Sequence, residues 1–368
     1  MTDLTQNITS AALINDPPPW TFSMAQLTAG LRRQTGDPKL NVVEITDGEI
    51  TQRRPTTGKI RGLDVRAESA SGEYQFSFVL KESQGGTRIG TAGMGLREVS
   101  IYRKLSEQLP MQIPHMLAYN PDGKWLIIER MPPGRRPEKW QAPEYLLAID
   151  QLVALHDRFW GLDEVLNVYQ WLARPLTSDL PIHKAAANHG MQKLKNLLPG
   201  TMLSNDTELF SLMNLLISNI EKISDHLLET PQTLIHGDYW PGNIHVLGAN
   251  SLTVFDWENT AIGSGILDLV YFVQFSRWHF EPLPVQEEEI VSHYRNRLAL
   301  TNDHTWTEEK WAKDWDYALI WIFLTHWLDL LAAIPNSVLT ARLPQLEGIW
   351  LSPVRDAAAR WFSPNNCK

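Results

Sequence analysis

Cysteine is almost missing from this chain. The single one in 368 residues is Cys367, next to the last position. No intramolecular disulfide, cysteine zinc site or CxxC redox pair is therefore available. A surplus of positive charge is missing too: 33 Lys and Arg stand against 42 Asp and Glu, a formal net charge of −9. That argues against a general nucleic-acid binder, which carries a basic stripe to meet phosphates. Long apolar runs are also absent. The most apolar stretch, Ala318 to Ile334, spans 17 residues and is broken by His326 and Asp329. It reads as a helix buried in a core, with no membrane insertion expected. The N-terminal MTDLTQNITSAALINDPPPW has neither the basic start nor the apolar centre of a signal peptide, so the expected location is the cytoplasm.

What is present is an ordinary globular balance, 43% hydrophobic and 20% charged, with one excess: 15 tryptophans. Neither the charge nor the tryptophan is evenly spread. Residues 1 to 130 hold 15 Lys/Arg and 14 Asp/Glu, net +1, whereas the remainder holds 18 and 28, net −10. Only Trp20 and Trp125 precede that division. Pro132-Pro133-Gly134 punctuates the chain at the same place. Two domains are expected, 1–131 and 132–368.

The first part reads as a helix over Thr21–Thr35 and strands over Asn41–Ile50, Ile60–Ser69 and Tyr74–Glu82. A helix over Gly95–Leu109 and a strand over Trp125–Glu129 follow. The second part reads as mainly helical, with helices over Pro143–Phe159 and Asp206–Leu228. The stretch TLIHGDYWPGNIHVLGANSLTVFDW interrupts it with two β-like runs around a Pro-Gly loop.

That interruption carries the chemistry. Asp238 and Asn243 stand five apart in a loop between apolar segments, and Asp256 follows 13 residues later. Phosphoryl transfer needs a carboxylate to orient and deprotonate a hydroxyl. It also needs oxygen ligands for Mg²⁺, which an amide and a second carboxylate supply.

The pattern HGDxxxxN, complete in His236 to Asn243, with Asp256 in FDWE beyond it, resembles the aminoglycoside phosphotransferase and choline kinase superfamily of small-molecule kinases. The resemblance runs over about residues 40 to 270. It implies an α+β, bilobal protein-kinase-like fold, with a β-rich N-terminal lobe and a large helical C-terminal lobe enclosing ATP. It implies Asp238 as catalytic base and Asn243 and Asp256 as Mg²⁺ ligands. Lys81 would steady the α- and β-phosphates and Glu98 would pair with it. Glu129 and Met131 would border the adenine, and Thr57 and Gly58 fall in the turn expected to cover the phosphates. His236 and Asp268 are expected to support the site, and Glu258 and Trp240 are candidates for contact with metal or substrate.

Departures narrow this implication. Gly237 replaces the Arg that protein kinases place between catalytic-loop His and Asp. Trp257 and Glu258 replace the Phe and Gly of DFG, no APE-like segment follows, and GxGxxG is absent. A protein kinase is disfavoured. A non-catalytic nucleotide-binding module is disfavoured by the intact Asp238, Asn243 and Asp256. The acceptor is expected to be a small hydroxyl compound such as an amino alcohol, amino sugar, aminoglycoside-like compound or secondary metabolite. The acidic second part suggests one that is cationic or neutral rather than anionic. Most late tryptophans read as core, with one or two facing the cleft.

Overall fold

The computed structural model describes residues 20–50, 58–83, 92–197, 206–302 and 305–362. The chain opens with helix α1 (Met24–Thr35). Ser23 begins it with a capping box, its hydroxyl accepting from the Gln26 N–H while the Gln26 side chain returns to the Ser23 N–H. This cap starts the helix three residues later than the apolar pattern suggests, because it satisfies otherwise orphaned N–H groups.

Strands β1 (Asn41–Gly48), β2 (Lys59–Ser69) and β3 (Gly72–Glu82) form an antiparallel meander. Helix α2 (Met94–Lys104) follows, then β4 (Met116–Tyr119) and β5 (Trp125–Glu129). The sheet order is β1-β2-β3-β5-β4. Strand β4 is absent from the sequence reading; four residues on a sheet edge carry too short a pattern to register. Helix α2 stops short of Leu109, because Gln108 and Leu109 turn back to the Leu105 carbonyl ahead of Pro110. Leu96 of α2 is exposed.

One sheet face packs Leu63, Val65, Phe78 and Leu80 against Leu27 and Leu31 of α1. From the other, Leu126 and Ile128 join the large helical core together with Val99 and Tyr102 of α2. The side chain of Lys81, near the end of β3, thus faces α2 across a short gap.

The helical part comprises α3 (Ala142–Arg158), α4 (Asp163–Leu166), α5 (Leu180–Leu197), α6 (Thr207–Ser218) and α7 (Ile220–Leu228). The apolar pattern over 206–228 breaks at Asn219 into two helices rather than one. Two small antiparallel ribbons come next: β6 (Gln232–Ile235) with β9 (Ala261–Ser264), and β7 (Ile244–Gly248) with β8 (Ser251–Val254). Helices α8 (Ile266–Phe280), α9 (Glu287–Asn302) and α10 (Glu308–Ile322) follow. A wide π turn over Phe323–Trp327 carries α10 into α11 (Leu328–Ala333). Among the described residues no helix is long and apolar enough to cross a membrane.

Tryptophan fills this core. Trp257, Trp321, Trp327 and Trp350 are all 1% exposed or less. Trp327 and Trp350 stack with ring centres 4.7 Å apart.

Candidate active site

The two ribbons hold the loop 236–243 between them. Gly237 there has φ +79°, and a Cβ would lie 2.3 Å from the Asn259 carbonyl oxygen. Only glycine fits that left-handed, crowded position, which explains why no arginine can precede Asp238 here. Asp268, in the first turn of α8, fastens the loop from below. Its carboxylate accepts from the His236 N–H (2.7 Å) and the Gly237 N–H (2.8 Å), and it meets His156 Nε2 at 3.3 Å. His156 in turn reaches the Tyr294 hydroxyl at 2.8 Å.

His236 is fully engaged. Its Nδ1 accepts from the Asp238 N–H (3.2 Å), so the proton sits on Nε2 and is donated to the Phe255 carbonyl (3.1 Å). Burial lowers its pKa, so the ring is neutral. With both nitrogens committed, it braces the loop and has no free lone pair for a substrate proton.

Asp238 projects from the loop, half-buried. Asn243 Nδ2 donates to its carboxylate (2.8 Å) and to its carbonyl (2.9 Å). Burial, and then the neighbouring Asp256, raise the Asp238 pKa well above the usual carboxylate range; hydrogen bonds from Tyr271 and Asn243 oppose the shift. Asp256 has φ 68° and is the one non-glycine residue with positive φ among those described. Such strain persists where surrounding structure fixes a side chain's direction.

Lys81 and Glu98 come together as expected from the kinase-like pattern. Lys81 Nζ is 2.7 Å from Glu98 Oε1 and 2.8 Å from Asp256 Oδ1. Burial disfavours the Lys81 ammonium, but Asp256, Glu98 and Glu258 outweigh burial and hold its pKa well above normal. Burial lifts the Glu98 carboxyl to about 7, with Lys81 pulling the other way. Oxygens of Glu98, Asp256 and Glu258 lie within 4.8 Å of one another, a group able to hold a cation. Because Asn243 turns its NH₂ to Asp238, its amide oxygen is left for such an ion.

A family model described as the phosphotransferase enzyme family matches residues 66–310. The chain belongs to that family. It is a kinase, an enzyme rather than a bare nucleotide-binding module. Its fold is that of the protein-kinase-like small-molecule kinases. An ethanolamine kinase of Plasmodium vivax superposes with TM-score 0.55 at 16% identity, over 85% of this chain and 83% of the other. The amicoumacin kinase hAmiN, solved with AMP-PNP, Ca²⁺ and Ami, superposes with TM-score 0.51 at 12% identity, over 92% of this chain and 96% of the other. No curated protein sequence matches the chain significantly.

The remaining expected residues of this phosphotransferase fall as follows. Glu129 ends β5, and its side chain accepts from the His115 N–H (3.3 Å). Met131 follows in the connection to the helical part, and its backbone N–H and C=O find no protein partner among the described residues. Gly58 enters β2 with φ +74°, close to the Glu82 carbonyl; Thr57 lies outside the described residues. Trp240 packs on α8 against His279 (4.8 Å) and Phe280 (6.2 Å), and does not line the cavity beside the loop.

That cavity was not expected from the sequence. It measures about 130 Å³ and is bounded by Arg97, His183, Gly237, Tyr271, Trp321 and His326, among others. Tyr271 stands in its wall and is an electrostatic neighbour of Asp238. The spacing Asp268-to-Tyr271, one helical turn, places both on the loop side of α8 and was the signal available. His183 and His326 come from distant helices, and no local pattern links them.

Proposed function

We propose that this phosphotransferase moves the γ-phosphoryl group of ATP to a hydroxyl of a small, neutral or cationic molecule. The observation that carries the reading is that Asp238, Asn243, Asp256, Lys81 and Glu98 are neighbours, drawn from segments as far apart as β3 and the β8–β9 connection.

In this reading Asp238 orients the acceptor hydroxyl and takes its proton. Asn243 fixes the carboxylate's direction by donating to it. Lys81, steadied by Glu98, binds the α- and β-phosphates. Met131 offers free backbone groups to the adenine edge, with Glu129 beside it. Gly58 lies in the turn over the phosphates, and Thr57 is assigned there from sequence alone. The donor set fits Mg²⁺, a hard cation that takes carboxylate and amide oxygens. Asp256 and Asn243 would hold it, with Glu258 adjacent. Bound there, it would neutralise charge on the phosphates. Because the transition state of phosphoryl transfer is loose, positioning supplies most of the rate. The β-rich 1–131 and helical 132–368 are proposed as the nucleotide and acceptor lobes.

The test is transfer of labelled phosphate from MgATP to a panel of small alcohols, with calorimetry of MgATP binding alongside. Transfer by the native protein and none by Asp238→Asn, with nucleotide affinity kept, is the expected result. Failure to bind MgATP overturns the reading.

A further inference from the structure

Asp256 holds a backbone conformation that its surroundings must maintain. Its φ of 68° and ψ of 56° are left-handed, a region costly for any residue with a Cβ. The carbonyls on either side of it are tied down one by one. The Phe255 carbonyl accepts from His236 Nε2 (3.1 Å). The Trp257 carbonyl accepts from the Thr260 hydroxyl (2.7 Å) and the Thr260 N–H (3.2 Å). These donors belong to the helical part of the chain. The Glu258 carbonyl is held from the other part: it accepts from Arg97 Nε (2.9 Å), and Arg97 stands on α2.

Arg97 is itself fixed. Its Nη1 donates to the Ala92 carbonyl (3.1 Å), just ahead of the helix. The guanidinium fork thus reaches carbonyls on two separate segments, which the point charge of an ammonium cannot match. Burial disfavours its charge, while Asp179 and then Glu258 favour it. The helix that carries it sits hard against the β4–β5 turn, where a Cβ on Gly95 would come 2.1 Å from the Gly123 carbonyl oxygen. The anchored end of Arg97 therefore has little room to shift.

Successive residues of α2 hold the Asp256–Glu258 segment in two ways. Glu98 acts through Lys81, whose ammonium meets the Asp256 carboxylate at 2.8 Å. In the kinase reading Lys81 turns to the phosphates and Asp256 to the cation, so that link is given up. Arg97 binds backbone, and its hold does not depend on the Asp256 carboxylate staying with Lys81.

We propose that Arg97 is a positioning residue for the cation site: by holding the Glu258 carbonyl it fixes the left-handed turn at Asp256, and with it the direction of the Asp256 carboxylate. The inference rests on the kinase reading above and adds one residue to it. Groups that orient metal ligands in this way are worth about 10–100-fold in metal affinity.

The experiment titrates Mn²⁺ into the protein with AMP-PNP bound and follows free Mn²⁺ by electron paramagnetic resonance. Arg97→Met should weaken Mn²⁺ binding about tenfold. Its affinity for ADP in EDTA, which reads the nucleotide site without metal, should stay within about twofold of native. Arg97→Lys can still donate to the Glu258 carbonyl, though not to Ala92 as well, and should lose about threefold. Unchanged Mn²⁺ affinity in Arg97→Met overturns the proposal. So does an equal loss of ADP affinity, which would mean a general loosening of the site. If Arg97→Met does not fold, Arg97→Lys decides alone: a loss confined to Mn²⁺ supports the proposal, and native Mn²⁺ affinity overturns it. A native protein that binds no Mn²⁺ with AMP-PNP would instead bring down the kinase reading itself.

Discussion

The ammonium of Lys81 lies 2.8 Å from Asp256, 175 residues further along the chain, and the same nitrogen is 2.7 Å from Glu98. One cation thus serves two carboxylates, and Glu98 is almost wholly buried. Lys81→Met should leave those carboxylates without their counter-charge. Loss of one partner of a buried pair costs about 3–5 kcal/mol, so chemical denaturation should show a clear drop in stability. Phosphate transfer should fall by about 100-fold or more. A variant as stable as the native protein would show that this contact does not hold the strand to the helix and the Asp256 segment.

Asp238→Asn keeps the size of the side chain and its bond to Asn243 while removing the proton acceptor. General-base catalysis contributes about 10²–10⁴-fold. Transfer should drop within that range or beyond it, and calorimetric MgATP affinity should stay within a few-fold of native.

Asp268→Asn tests the loop's anchor. The carboxylate accepts from two backbone N–H groups at once, and an amide can offer only one oxygen. An unsatisfied buried donor costs about 1–3 kcal/mol. Melting should fall accordingly, and kcat should fall with it because His236 and Asp238 hang from the same loop. A full loss of stability with kcat unchanged would contradict that coupling.

His183 and His326 make stability depend on pH. Their folded pKa values near 4 lie below the ordinary value of 6.5. Between those limits the unfolded chain binds more protons, so stability rises with pH. It is fully present above about pH 6.5 and is lost as pH falls toward 4. Thermal melts of the native protein and of a His183→Asn, His326→Gln double variant should converge on acidification, the variant losing less between pH 7 and pH 4.5. Parallel curves would refute the assignment.

Trp350→Ala should be among the costliest core changes. Trp350 is fully buried, stacked on Trp327 and edge-on to Phe275. Removing a buried tryptophan costs about 3–5 kcal/mol, readable in urea denaturation, while Trp350→Phe should cost much less. The tryptophan excess is mostly packing of this kind.

The candidate catalytic loop was legible because its residues are close in sequence and their types match what the proposed chemistry needs: a carboxylate, an amide and a second carboxylate after a short ribbon. Lys81 and Glu98 could be picked out only by resemblance, since 17 residues separate them and nothing local pairs them. The tertiary structure decided what short-range pattern cannot carry. Gly237 is glycine because Asn259 crowds it. His236 is a brace because its Nδ1 and Nε2 are both occupied. Trp240 packs on α8.

The cavity wall shows the limit most plainly. Arg97, His183, Tyr271 and His326 belong to four different elements, and the neutrality of the two histidines comes from burial that only the folded chain creates. The sequence by itself determined the family and the kind of reaction and marked the loop 236–243 as the candidate for its chemistry, because bond-making groups must recur at set spacing. What lies beside that loop was decided by the packing of α5, α8 and the π turn against α2, which brings Arg97, His183, Tyr271 and His326 to one cavity.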